Sequence, residues 1–259
     1  MPEQPVLAGT LASLIAGLGS GLGALPVLLP VTLTVGLQAL LLGFGGGVML
    51  AATAFSLVLP GTEAALQLGY SQVGAAGSMA LGILAGGVLL ELAHNFFPHE
   101  HFFKGLEGGR AGRLQRIWLF VLAITLHNFP EGLAVGVGFG DVNVGNPLAL
   151  TVGIALQNLP EGLVVATSLR SLGYGRGFAL GIALLTGLVE PVGGLVGASL
   201  VSISRQILPW GMALAAGAML FVISDEIIPE SHRRGLERQG TAGVMLGFVV
   251  MLVLDVALA

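Results

Sequence analysis

Charged side chains are scarce in this sequence of 259 residues. Only 9% of the residues are Asp, Glu, Lys or Arg, whereas 54% are hydrophobic and the mean hydropathy is +0.92. Soluble domains carry roughly 25% charged residues, so a soluble globular protein is excluded. The formal net charge of -4 gives no basic footprint of the kind that nucleic-acid binding requires, and no nucleic-acid partner is expected.

Cysteine is absent altogether. Its absence excludes disulfides and thiolate metal sites, so any metal ligands have to come from other side chains. Residues 1–5 contain Glu3 but neither Lys nor Arg, and they therefore lack the basic region that begins a signal peptide. We expect the first apolar segment to be retained as a membrane span.

Long apolar runs dominate the rest of the chain. A helix needs about 20 residues to cross ~30 Å of hydrocarbon, and eight segments reach that length. The separation of the first two depends on residues 30–35, where only Pro and Thr interrupt the apolar run. The sequence predicts an all-α integral membrane protein with one domain, residues 1–259, and spans near 6–29, 36–60, 73–95, 116–139, 147–169, 177–200, 206–228 and 240–259.

Basic residues are distributed unevenly between the connecting loops. The loops after spans 3, 5 and 7 carry nine of them, whereas Arg205 is alone on the opposite side. Basic loops face the cytoplasm, so both termini are expected outside, in a plasma (inner) membrane. The first basic loop, about residues 96–115, is also the loop that contains histidines. The nine are Lys104, Arg110, Arg113, Arg116, Arg170, Arg176, Arg233, Arg234 and Arg238.

The pattern N-x-P-E-G-L occurs in span 4 and again thirty positions later in span 5. It is preceded by His127 in the first copy and by Gln157 in the second. The leading residue and the Glu are i and i+4, and the Asn and the Glu are i and i+3, so the polar side chains share one helix face. The proline frees a backbone carbonyl, which a membrane tolerates only where another group satisfies it.

The glutamates of both copies, Glu131 and Glu161, lie near the middle of their spans, as does Glu190 in span 6. Each carboxylate at the bilayer centre costs at least ~2.5–3.5 kcal/mol, so a cation or protonation has to compensate. Imidazole, carboxylate and amide donors suit Zn, Cd, Fe, Co or Mn better than Ca or Mg. Two alternatives to metal binding stay open. The polar side chains could form hydrogen bonds between helices, and Met49, which lies at the same depth in span 2, could simply pack in the core.

A second group of polar residues follows at the inner ends of spans 3 and 7. His94, Asp225 and Glu226 form a candidate exit site, and His99 and His101 in the adjoining loop could capture released metal. The alternative is that these are solvated residues at the membrane interface, where charge costs little.

The paired motifs resemble those of the ZIP family of divalent metal transporters, in particular its prokaryotic GufA-type branch. The resemblance covers nearly the whole chain, including Val189-Glu190-Pro191 and residues 224–230. It implies zinc uptake into the cytoplasm through a binuclear site, with neither a cofactor nor enzymatic activity. The implied ligands are Met49, His127, Glu131, Gln157 and Glu161 for one ion, and Asn128, Glu131, Asn158, Glu161 and Glu190 for the second. Family members often have Asp at the position of Asn158, so a weaker second site is expected.

The expected architecture is an inverted repeat, with spans 1–3 and 6–8 arranged around spans 4 and 5 and working by alternating access. A shared Met-Leu pair followed by Pro, beginning at Met49 in span 2 and Met219 in span 7, supports it. A homodimer is included among the expected partners. The competing function is an intramembrane metal-dependent hydrolase, but such sites usually carry an H-E-x-x-H helix, and this sequence contains none.

Overall fold

The computed structural model describes residues 3–29, 33–96, 110–140 and 145–258. Within these ranges the chain is helical without any strand, and eight helical segments are long and apolar enough to cross a membrane. The predicted all-α architecture with eight spans is confirmed. The candidate capture residues His99 and His101 lie outside the described residues.

Five of the spans are single α-helices and three are interrupted. The single helices are span 1, Glu3–Ala24; span 3, Gln72–Phe96; span 4, Arg110–Gly138; span 5, Pro147–Ser171; and span 8, Glu237–Ala257. Span 2 comprises Val35–Ala52, Thr53–Val58 and Leu59–Gln67; span 6 comprises Arg176–Gly187 and Glu190–Ile203; span 7 comprises Leu208–Val222, Ile223–Ile227 and Ile228–Ser231.

Spans 1 and 2 are separate helices, as predicted. Span 1 ends in the 3-10 turn Leu25–Leu28, and span 2 begins after Thr34. The Thr34 hydroxyl accepts a hydrogen bond from the Leu37 N–H at 3.3 Å, which satisfies one of the free donors at the start of a helix. Span 2 runs seven residues past its predicted end at 60, because Pro60 stands in the first turn of Leu59–Gln67, where its missing N–H costs nothing.

Span 6 is not the continuous helix that was predicted for 177–200. The helix stops at Gly187 and restarts at Glu190, with Leu188 and Val189 forming a turn. Pro191 is the physical reason, since its ring would clash with the carbonyl of Gly187 in an unbroken helix. The break leaves Glu190 at the first position of a new half-helix.

Spans 2 and 7 contain matching π-helical segments. The first, Thr53–Val58, starts four residues after Met49, and the second, Ile223–Ile227, starts four residues after Met219. Both segments are followed by a proline in the first turn of the next helix. The wide turns thus occupy equivalent positions in the two halves of the chain.

The packing of the spans follows the same two-fold pattern. Span 2 packs on span 8, and span 3 packs on span 7; span 4 packs on the second half of span 6, and span 1 packs on span 5. Exchanging spans 1–3 with 6–8 and span 4 with span 5 converts each pair into the other. This is the pairing that an inverted repeat around spans 4 and 5 requires.

Glycine lets these helix backbones touch. A Cβ added to Gly132 in span 4 would lie 1.9 Å from the carbonyl oxygen of Glu190 in span 6, and one added to Gly162 in span 5 would lie 1.9 Å from that of Ser20 in span 1. Both glycines follow the glutamate of an N-x-P-E-G-L motif. The motif therefore combines a polar face with close backbone packing, which lipid-embedded helices need in place of a hydrophobic drive.

Gly132→Ala should therefore destabilise the bundle, by at least the ~1–3 kcal/mol that overpacking typically costs. Gly181→Ala is the matched control, because Gly181 is also helical and a Cβ there would meet nothing within 4 Å. Thermal unfolding of the two purified variants in detergent measures the difference. A Gly132→Ala protein as stable as the control would contradict the close packing of spans 4 and 6.

Candidate metal site between spans 4, 5 and 6

Both copies of the repeated motif lie inside unbroken helices, since spans 4 and 5 continue through Pro130 and Pro160. The polar side chains of the two motifs face the interior of the bundle. All six have at most 1% of their surface exposed: His127, Asn128, Glu131, Gln157, Asn158 and Glu161. The predicted common polar face is thus buried, and the two helices present it at one place.

Glu190 joins this cluster from the broken span 6. Its side chain is fully buried, and its Oε1 accepts a hydrogen bond of 2.6 Å from the Asn158 Nδ2. The same amide nitrogen donates to the carbonyl oxygen of Ala16 in span 1 at 2.9 Å. Asn158 therefore connects spans 1, 5 and 6. Ala16 was missed by sequence reasoning because a backbone carbonyl carries no residue-type signal.

The three buried glutamates lie within electrostatic range of one another. Glu131 acts on both Glu161 and Glu190, and Glu161 acts on Glu190. Most of their oxygens have no hydrogen-bond donor within normal distance in the described structure: both of Glu131, which the Gln157 side chain approaches without reaching that distance, Oε2 of Glu161 and Oε2 of Glu190. Buried acceptors without donors are costly. A cation placed among them would supply what the protein does not.

Amide groups of the motif have unused polar atoms as well. Both side-chain polar atoms of Asn128 and the Oε1 of Gln157 lack hydrogen-bond partners among the described residues. In the same part of the chain, no three His, Asp or Glu side chains converge closely enough to hold a metal on their own. The donor set that fits a divalent ion here consequently includes amide oxygens beside the carboxylates.

His127 contacts a residue that the sequence assigned to a separate exit site. Its Nε2 lies 3.1 Å from Oε1 of Glu226, which comes from the π-helical segment of span 7. Asp225 is half-buried beside it in the chain. Of His94, the structure describes only the backbone, in the last turns of span 3. The candidate exit site thus adjoins the buried cluster through Glu226, which the hydropathy pattern of span 7 did not indicate.

Met49 is 1% exposed and lies in the apolar core. It is one helical turn after Gly45, where an added Cβ would lie 3.6 Å from Oε1 of Glu161. Span 2 therefore lies next to the buried cluster at Gly45. A role for the Met49 thioether as a ligand stays a prediction.

The known proteins that this chain resembles are all described as zinc transporters. A family model described as ZIP Zinc transporter matches residues 109–255. Zinc transporter GufA of Myxococcus xanthus is 51% identical over 204 residues, covering 79% of this chain and 80% of that protein. Zinc transporter ZIPB of Bordetella bronchiseptica is 48% identical over 223 residues, covering 85% and 72%. Zinc transporter ZupT of Corynebacterium glutamicum is 36% identical over 232 residues, covering 85% and 87%.

The matched family region contains both copies of the buried motif and Glu190, and the two relatives first named cover more than two thirds of both chains compared. With its eight spans and its paired N-x-P-E-G-L helices, this chain belongs to the ZIP zinc transporter family.

Proposed function

We propose that this chain takes up Zn²⁺, and related ions such as Cd²⁺, Fe²⁺, Co²⁺ and Mn²⁺, through the buried cluster of spans 4, 5 and 6. The observation that carries the proposal is the set of buried carboxylate and amide oxygens without donors, centred on Glu131. Mixed nitrogen and oxygen donors of this kind accept several borderline divalent ions. The names of the relatives as zinc transporters favour zinc among them.

The proposed ligands divide between two ions. Met49, His127, Glu131, Gln157 and Glu161 serve one ion; Asn128, Glu131, Asn158, Glu161 and Glu190 serve the second. Glu131 and Glu161 bridge the two. Release then proceeds past His127 toward Glu226 and Asp225, a direction supported by the 3.1 Å contact of His127 with Glu226.

Uptake into proteoliposomes tests the transport function. Vesicles that contain the purified protein should accumulate Zn²⁺. Other divalent ions should compete with Zn²⁺ uptake, and Mg²⁺ and Ca²⁺ should compete least because they are hard cations that prefer oxygen ligands alone. The hydrolase alternative predicts peptide cleavage without accumulation. Protein-dependent cleavage with no metal uptake would overturn the transporter proposal.

We also propose that the protein lies in the inner membrane with its basic loops facing the cytoplasm and both termini outside. Eight spans put the termini on the same side, and the nine-to-one distribution of Lys and Arg selects the side.

We further propose that two copies of the chain form a homodimer. Spans 3 and 8 bury the smallest share of their surface within the chain, so their outer faces offer the most room for a second copy.

A matched pair of cysteines tests the orientation, because the parent has none. Ser171 is the last residue of span 5, on the proposed inner side, and Ser202 lies in the last turn of span 6, on the proposed outer side. Both are exposed, and both hydroxyls donate to the carbonyl three residues earlier. An impermeant maleimide added to intact cells should label Ser202→Cys, and Ser171→Cys only after permeabilisation. The opposite labelling would reverse the topology.

His127→Ala should reduce uptake moderately and change metal preference. Imidazole is the main nitrogen donor of the proposed site, and its loss favours oxygen-preferring Mn²⁺ relative to Zn²⁺. Competition of Mn²⁺ against Zn²⁺ uptake measures the shift. His232→Ala is the control, since the His232 ring, just after span 7, contacts the Thr241 hydroxyl at 3.0 Å instead. An unchanged competition profile in His127→Ala would make His127 a packing residue.

A further inference from the structure

An aromatic cluster fastens the start of span 4 to the start of span 6. The Trp118 Nε1 donates to the Tyr174 hydroxyl at 3.0 Å, and the Tyr174 ring stacks on Phe178 with centroids 4.8 Å apart. Trp118 also meets Phe178 edge-on, at 6.2 Å. Trp and Tyr with one polar end concentrate at the membrane–water interface. The cluster therefore marks that interface on the side of the basic loops.

A cleft of about 240 Å³ runs from this cluster into the membrane between span 4 and the first half of span 6. Its lining is apolar apart from the Trp118 indole N–H, which donates to Tyr174, and the hydroxyls of Thr125 and Thr186, which donate to Val121 at 2.7 Å and to Ala183 at 2.8 Å. The cleft thus offers no free donor to a polar guest. From Trp118 to Thr125 it extends about 10 Å, some two thirds of one leaflet of hydrocarbon, which fits an acyl chain.

Two arginines flank the aromatic cluster in the chain, Arg170 four residues before Tyr174 and Arg176 two residues after it. Arg170 donates through Nη1 to the Tyr174 carbonyl within the aromatic turn, and Arg176 donates through Nη1 to the Leu28 carbonyl at 2.9 Å. Neither forms an ion pair with a carboxylate in the part of the chain that the structure describes. Each guanidinium has five N–H donors, so most of them stay available for an anion.

We propose that this cleft binds one anionic phospholipid, with an acyl chain between spans 4 and 6 and the phosphate on Arg170 and Arg176. Guanidinium groups bind phosphate through charge-assisted hydrogen bonds, and basic pockets between membrane helices take anionic head groups. Net negative charge distinguishes this occupant from a zwitterionic lipid, whose ammonium would meet the same arginines. A soluble phosphate would leave the apolar cleft unfilled.

Lipid retention measured by native mass spectrometry tests the proposal. The purified protein is equilibrated with equal amounts of phosphatidylglycerol and phosphatidylcholine of identical acyl chains. We expect one phosphatidylglycerol retained per chain, preferred by about 25-fold, since each arginine near the surface contributes ~5-fold. The double variant Arg170→Gln/Arg176→Gln should bring the preference close to parity. Arg238→Gln, an exposed arginine at the start of span 8, should leave it unchanged.

Two further measurements separate the cleft from a general attraction to charge. Leu122→Trp, which fills the cleft, should lower retention of both lipids while its thermal unfolding stays cooperative. Glycerol phosphate without acyl chains should fail to displace the bound lipid. Equal retention of the two lipids by the parent, an effect of Arg238→Gln as large as that of the double variant, or displacement by glycerol phosphate would each overturn the proposal.

Discussion

Glu131→Gln and Glu161→Gln should each lower Zn²⁺ uptake in proteoliposomes by about 100-fold or more, because losing even an outer partner of a metal ligand costs ~10–100-fold. Both side chains are buried and both carry oxygens without donors. Gln keeps the volume and one oxygen but removes the charge. The substitutions therefore test the charge that faces the ion and leave helix packing intact.

Glu237→Gln is the matched control for these two variants, since Glu237 is exposed at the start of span 8. It should transport normally. Protein amount and thermal unfolding in detergent should be close to the parent for all three, which separates loss of transport from loss of folding. Near-normal uptake by either buried variant would contradict a site shared between spans 4 and 5.

Asn158→Asp should lower the stability of the metal-free protein and tighten the binding of the second ion. The present amide donates to Glu190 at 2.6 Å and to Ala16 at 2.9 Å, and Asp would replace both donors with acceptors. Leaving buried groups unpaired costs ~1–3 kcal/mol each, so the metal-free variant should unfold at a lower temperature. Zn²⁺ should restore its stability by more than it stabilises the parent, since ligand binding to the folded state raises stability.

The charge balance gives the second half of this prediction. Glu131, Glu161 and Glu190 supply at most three negative charges, whereas two divalent ions bring four positive charges, and uncompensated charge in a low dielectric is costly. Calorimetric titration should therefore detect tighter binding of a second Zn²⁺ to Asn158→Asp. Asn128→Asp is the comparison for the lost hydrogen bonds: it adds the same charge to another proposed ligand of the second ion, at a buried amide that makes no hydrogen bond in the described structure, so it should also tighten the second ion. Two ions bound equally tightly by the parent would contradict this account.

The hydropathy and the repeat were sufficient to predict the eight spans and the buried polar face. Both are local properties, because the length of an apolar run and the i, i+3, i+4 spacing can be read without knowing any neighbour. The separation of spans 1 and 2 was predicted from the Pro and Thr residues at 30–35, which are also a local feature of the sequence. Pro191 carried a signal for the break at 188–189 that the apolar run of span 6 concealed.

Contacts between distant segments could not be predicted in this way. Glu226 looked like an interfacial residue of span 7, yet it reaches His127 because a π-helical turn changes the direction of the side chains that follow. For Asn158, the sequence predicted only that the second metal site lacks the negative charge that an Asp would supply at this position. Its hydrogen bonds to Glu190 and Ala16 depend on spans 1 and 6 packing against span 5, which no local pattern specifies.

The glycine contacts have a consequence for which parts of the bundle can slide. Added Cβ atoms meet backbone of another span at under 3 Å only within two groups, spans 1, 4, 5 and 6 and spans 2, 3, 7 and 8, as far as the described residues extend. Between the two groups the close contacts are to side chains instead, such as the Met251 Sδ beside Gly153 and the Val137 methyls beside Gly211. Interlocked backbones cannot shear without separating, whereas unbranched Met side chains repack readily. The close backbone contacts thus divide the spans into two groups, and the buried carboxylates Glu131, Glu161 and Glu190 all belong to one of them, whereas Met49 and Glu226 belong to the other.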